Sequence, residues 1–190
     1  MRLFRVLLSL ALAAAVIGGS GEALAQQPPA AAQPATPAAK PEDVASVDAI
    51  LAALYDVISG PAGQKRDWDR MRSLFIPDAR LIPMGPRPNG GFGARVLSVE
   101  DYIKLAGASL ERDGFFEREI GRVTERYGHM VHAFSAYDSK RTLADAQPFM
   151  RGINSIQMMN DGTRWWIVTV LWESERPDNV IPEKYLTKTP

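Results

Sequence analysis

His129 and His132 are the two histidines of this 190-residue chain, and imidazole is the side chain that titrates nearest to neutral pH. Both fall in a run where apolar residues recur at every second position, which reads as a strand. Side chains three apart on a strand point to opposite faces, so the pair cannot close on one metal ion, and no metal site is expected. A two-residue turn at Tyr127-Gly128 sets His132 opposite Val123, with Glu125 diagonal to it and Glu119 on the same face. A histidine beside a carboxylate can give and take a proton near neutral pH, so His132 with Glu125 is the candidate catalytic pair. The same spacing also fits a half-buried histidine capped by a surface glutamate.

The other face of these two strands carries Arg118, Arg122, Thr124, Val131, Ala133, Ser135 and Tyr137. Small residues beside Arg122, Ser135 and Tyr137 suit a pocket floor with a few fixed polar groups. They equally suit an outer face whose arginines are solvated or paired with Glu117 and Glu119, and which face is concave stays open. No Gly-x-Ser-x-Gly elbow follows the N-terminal segment, so serine nucleophilic catalysis has nothing specific behind it. The loop Gly85 to Gly93 (GPRPNGGFG) lacks the strand and helix flanks of a phosphate-binding turn, and no cofactor is expected.

The element that must position these residues is the stretch Arg151 to Trp172, where Asp161-Gly162 parts two strand-forming runs and marks a hairpin. A two-residue turn there pairs Asn160 with Thr163, Met158 with Trp165, Ile156 with Ile167 and Asn154 with Thr169 on one face. Asn154 and Thr169 are polar positions within that otherwise apolar face, which marks them, with Trp165, as candidate ligand-binding residues. The opposite face pairs Gln157 with Trp166, Ser155 with Val168, Ile153 with Val170 and Arg151 with Trp172. Both faces are largely apolar. One packs on helices, and the other must be covered by a homodimer partner on the outer sheet face or by the chain's own tail.

Upstream, Val44, Val47, Leu51, Leu54 and Ile58 recur at helical spacing ahead of Gly60-Pro61 and predict one amphipathic helix carrying Tyr55. A shorter helix is expected over Asp67 to Leu74, a short strand over Ala79 to Met84, and a loop over Gly85 to Gly93. Ser98 with Glu100 and Asp101 caps a third helix that ends at Asp113-Gly114 and carries Tyr102. Strands Phe115 to Arg126 and His129 to Ser139 precede the hairpin. The expected class is α+β, with three helices gathered on one face of a four-stranded antiparallel sheet.

Met1 to Ala25 reads as a cleaved secretory signal: Arg2 and Arg5, then an apolar stretch, then Ala23-Leu24-Ala25. Its apolar run falls short of the ~20 residues a membrane span needs. Residues 26–43 form an Ala/Pro-rich linker, 44–176 the folded domain and 177–190 a tail. The formal charge is +0, with no cysteine and no basic stripe, so nucleic-acid and lipid-surface binding have no support. A disulfide-free exported chain fits a bacterial periplasm.

The helix holding Tyr55, the run Phe75-Ile76-Pro77-Asp78-Ala79 and the run Gly162-Thr163-Arg164-Trp165-Trp166-Ile167, in this order, resemble the NTF2-like superfamily, which includes the SnoaL-like cyclases and ketosteroid isomerase. The resemblance covers about Val44 to Glu175 and implies a cone-shaped cavity between the concave sheet face and the helices. It implies a small-molecule binder, with an isomerase, lyase or cyclase and a non-catalytic dimeric interaction module as alternatives. Ketosteroid isomerase carries its general-base Asp five residues after the Asp of its Asp-Ala pair; here that position is Pro83, which cannot accept a proton. Tyr55 sits where the isomerase carries its oxyanion-hole tyrosine.

Overall fold

The computed structural model describes residues 36–187, so the predicted signal segment, most of the linker and the last three residues of the tail lie outside the described residues. The described residues begin with α1 (Pro41–Val44) and α2 (Val47–Ile58). The single helix expected there is broken at Ser46, whose backbone is extended and whose side-chain hydroxyl accepts the Ala49 N–H at 3.0 Å, so that a new helix begins. The fold therefore takes in residues 41–43, and Asp43 is buried against Arg70 at 2.7 Å. Then come α3 (Trp68–Leu74), β1 (Phe75–Pro86), β2 (Phe92–Ala94) and α4 (Val99–Asp113), whose Ser98 and Asp101 form a reciprocal cap. The loop expected over 85–93 is largely a hairpin turn between β1 and β2, with Gly90 and Gly91 at positive φ.

Four long strands follow: β3 (Phe116–Tyr127), β4 (Met130–Lys140), β5 (Met150–Asn160) and β6 (Trp165–Ser174). The sheet has six strands in the order β2-β1-β6-β5-β4-β3, and β1 runs parallel to β6 while the other pairs are antiparallel. It is α+β as expected, but the sheet is larger than the four strands read from the sequence, and mixed. The helix-covered, concave face buries Val131, Ala133, Ile156, Met158 and Ile167 against Ile50, Leu51, Leu54 and Met71.

Two turns and two bulges reset the register. The β3–β4 turn is Gly128-His129, which pairs Tyr127 with Met130 and so sets Glu125 directly opposite His132. A bulge between Glu119 and Gly121 gives β3 one extra residue and reverses which face the earlier residues occupy. The β5–β6 loop is four residues long because Asp161 accepts the N–H groups of Thr163 and Arg164 (2.8 and 2.9 Å) and the Trp166 indole N–H (2.6 Å). A second bulge, between Gln157 and Met158 in the pairing, then turns Thr169 outward opposite Gln157 and Trp172 inward opposite Asn154.

The outer face is accordingly less apolar than the sequence suggested, with Trp172 removed from it. The chain's own tail covers part of the surface expected to seat a second copy. Tyr185, in a short 3-10 turn over Glu183–Tyr185, stacks on Phe134 at 4.8 Å, and the Arg122 backbone N–H donates to the Thr187 carbonyl at 3.0 Å. A Cβ on Gly121 would lie 2.2 Å from the Tyr185 carbonyl oxygen, so the strap needs glycine at that point of the bulge.

Candidate functional site

The polar groups of the concave face come together where α2 ends and β3 begins. Ser59, the residue after α2, donates to the Tyr55 carbonyl at 2.7 Å and accepts the Glu117 backbone N–H at 3.0 Å. One turn earlier on α2, the Tyr55 hydroxyl lies 2.7 Å from Ser135 Oγ. Ser135 itself donates to Glu119 at 2.7 Å, so the phenol is the donor to Ser135. Asn154 Nδ2 donates to the Tyr55 oxygen at 3.2 Å and to Glu117 at 3.4 Å, and Ser139 donates to the other Glu117 oxygen at 3.0 Å. Tyr55, Ser135, Ser139 and Asn154 are all buried.

Two spaces meet here. A surface cleft of about 850 Å³ runs between α2 and β3, with Asp48, Tyr55, Ser59, Glu119 and Arg122 in its wall. Behind it lies a chamber of about 210 Å³ under α4, lined by Leu54, Tyr102, Phe115, Tyr137 and Trp172 among others. Among the described residues, Glu117 alone lines both. Arg122 is paired with Asp48 and, at 3.6 Å, with Glu119. Tyr102 meets Trp172 edge to face, with ring centroids 6.1 Å apart.

No protein-family model matches the chain, and no curated protein does. Among solved structures, the Kfla4162 protein of Kribbella flavida overlays with a TM-score of 0.51 at 10% identity, over 70% of this chain and 90% of that one. An NTF-2-like protein of unknown function from Silicibacter pomeroyi DSS-3 gives 0.47 at 13% identity, over 69% and 94%. A cystatin-like-fold protein of unknown function from Nostoc punctiforme gives 0.49 at 13%, over 66% and 86%. The fold is NTF2-like. Identities this low speak to the fold and not to an activity.

Within this NTF2-like cone, Glu117 is electrostatically unusual. Its carboxyl keeps some surface because it stands between two cavities, yet protein crowds it closely enough that desolvation pushes its pKa up from 4.5 to about 7. The hydrogen bonds from Ser139 and Asn154 oppose that rise, and the Asp138 charge adds to it. Burial likewise raises the Tyr55 and Tyr102 hydroxyls, and pushes Tyr137 up to about 12. Ser174 stands near enough to temper the rise at Tyr137, although it makes no hydrogen bond of ordinary geometry with that buried hydroxyl.

Of the residues singled out from the sequence, Tyr55, Ser135 and Asn154 meet in one network, Tyr102 and Tyr137 line the chamber, and Arg122 lines the cleft. His132 and Glu125 do not join them. They face each other across β3 and β4 on the outer side, where His132 Nε2 lies 2.8 Å from Ser155 Oγ. Thr169 also faces outward, and Trp165 packs near Arg126 beyond the cavity, 5.3 Å from ring to guanidinium. Glu117 and Glu119 were missed as site residues because regular alternation put Glu119 with His132 and left Glu117 as an ion-pair partner for arginine. Gly121 inside a strand pattern was the available signal, since glycine there often marks a bulge.

Between the unfolded value of 4.5 and the folded value of about 7, the folded state holds a proton on Glu117 that the unfolded chain has lost. The stability this lends is full below the lower value and lost as pH rises through the upper one. Wild type should lose about 2 kcal/mol between roughly pH 5 and pH 8 through this group, allowing for the solvent that the cavities admit. Urea denaturation of wild type and Glu117→Gln at both pH values checks it: the mutant should lack this loss, and equal pH slopes would contradict it.

Proposed function

We propose that the chain is an exported protein that binds one small, partly apolar molecule in its cone, with the polar end of that molecule at Glu117. The observation that carries this reading is the place of Glu117, a crowded carboxyl with neutral partners at the meeting of an apolar chamber and a surface cleft. Protein interiors pack closely, and a purely structural module would fill this space with its own side chains. Convergent polar groups on an otherwise apolar lining are what small-molecule sites present. Tyr55 and Asn154 fix the carboxyl side, and Leu54, Phe115 and Trp172 receive the apolar body. A neutral aromatic probe such as 1-naphthol should bind saturably, one per chain, and compete with other neutral aromatic alcohols in fluorescence titration. Failure of every small apolar probe, neutral or charged, to bind saturably would sink the reading.

A second reading, proton transfer on the bound molecule as in a lyase or isomerase, is favoured by one observation. A carboxyl near 7 is poised to take and return a proton at neutral pH, and phenols of Tyr102 and Tyr137 share its chamber. On this reading a small ketone bound in the cone exchanges its α-hydrogens with deuterated solvent, and Glu117→Gln slows that exchange at least ~100-fold. Exchange at the wild-type rate in the variant removes Glu117 from any such chemistry. Export rests on residues 1–25 and is checked by N-terminal sequencing of the protein from its native host: a chain starting at Gln26 is expected, and one starting at Met1 overturns it.

A further inference from the structure

The aromatic lining of the chamber and the lack of a cation beside its carboxylate point to the charge of the ligand. We infer that the molecule bound in the cone is an organic ammonium ion, its cationic head among Tyr102, Phe115, Tyr137 and Trp172 with Glu117 as counter-charge. This inference rests on the binding reading above and specifies the class of molecule bound.

Four aromatic side chains and one carboxylate line the same 210 Å³ space. The faces of aromatic rings attract a cation, and do so more strongly once it is out of water. Glu117 accepts hydrogen bonds from Ser139 and Asn154, both neutral, and no ion pair to it is present among the described residues. The cations nearest in the fold are engaged elsewhere. Arg122 holds Asp48 and Glu119, Arg118 holds Asp138 through two bonds of 2.9 Å, and Lys140 donates to the Asp145 carbonyl at 2.6 Å. Arg66, beneath α4, donates to the carbonyls of Ile58, Gly60 and Leu110 at 2.7 to 3.0 Å.

A crowded carboxylate without a cation is costly, and the cost falls when a positive charge enters beside it. An anionic ligand would add a second like charge beside it. A neutral ligand would leave the carboxylate as it is. An ammonium head supplies the missing charge, and its apolar substituents match the rest of the lining. N–H groups on it can also donate to the Tyr137 oxygen, which has no partner of its own.

The titratable groups nearest Glu117 are Tyr55 from α2, Tyr102 from α4 and Tyr137 from β4, none of them a cation. The cleft that Glu117 also lines holds Glu119 and Asp138 with the cations Arg118, Arg122 and Lys140, each engaged as described above. Ionisation of Glu117 is therefore the titration to which ammonium binding is coupled, and binding tightens as pH rises through about 7.

Three probes of similar shape separate the possibilities in calorimetric titration of the folded domain: benzylamine with benzyltrimethylammonium, benzyl alcohol, and benzoate. The ammonium ions should bind about tenfold or more tightly than the alcohol at pH 8, and benzoate should not bind. Glu117→Gln should erase the advantage of the ammonium ions over the alcohol. If that variant does not fold, Tyr102→Leu and the wild-type pH series carry the test, with weaker ammonium binding expected in each at the appropriate extreme. Equal affinity of alcohol and ammonium ions overturns the inference and leaves the binding reading standing. Saturable binding by none of the three overturns both.

Discussion

Tyr55 fastens α2 to the sheet through a chain of side chains of which the first three are buried: Asn154 donates to Tyr55, Tyr55 to Ser135, and Ser135 to Glu119 at the cleft. In a low-dielectric interior such a network is strong when complete and expensive when one member is lost, so it fixes the distance between helix and strand as well as the contact. A second tie, from Ser59 at the end of α2 to the Glu117 backbone, fixes where β3 begins. Together they set where the end of α2 meets the sheet, beside both the cleft and the chamber.

The same two strands decide which charges face inward. A regular β3 would send Glu117 and Glu119 to the outer face with His132. The extra residue at the bulge returns both to the concave face beside Ser135 and Tyr137, and sends Arg118 outward to Asp138. Two carboxylates on one strand then meet different surroundings. Glu119 has Ser135 and Arg122 within reach, whereas Glu117 has Ser139 and Asn154 and no cation. Environment, more than residue type, separates a structural carboxylate from one that can respond to a ligand. The bulge also admits the tail: Gly121 leaves room for Tyr185 and Leu186 to close over the outer side of the strand.

Much of the scaffold was legible in the sequence. Helical spacing located α3 and α4 to within a residue or two and α2 as the larger part of a longer helix that breaks at Ser46, the Ser98 cap began α4 where expected, and alternation located the four long strands. Asn154, chosen as polar within an apolar face, Ser135, chosen as part of a pocket floor, and Tyr55, chosen through the family resemblance, are members of one network. The catalytic pair was legible as a pair but not as belonging to the outer face. Thr169 was chosen by a register that the Asp161 turn and the second bulge both alter.

What the amino-acid sequence determined by itself is local: periodicity, caps and breakers act through neighbouring residues, so they fix which segments are helix or strand. What only the tertiary structure decided is which strand face is concave and which carboxylate lies there. A single inserted residue reverses every side chain before it, and its cost or benefit depends on partners about 20 to 100 positions away. Whether Glu117 holds its proton near neutrality is decided further still from the sequence, by how much protein surrounds it once helices and sheet have closed.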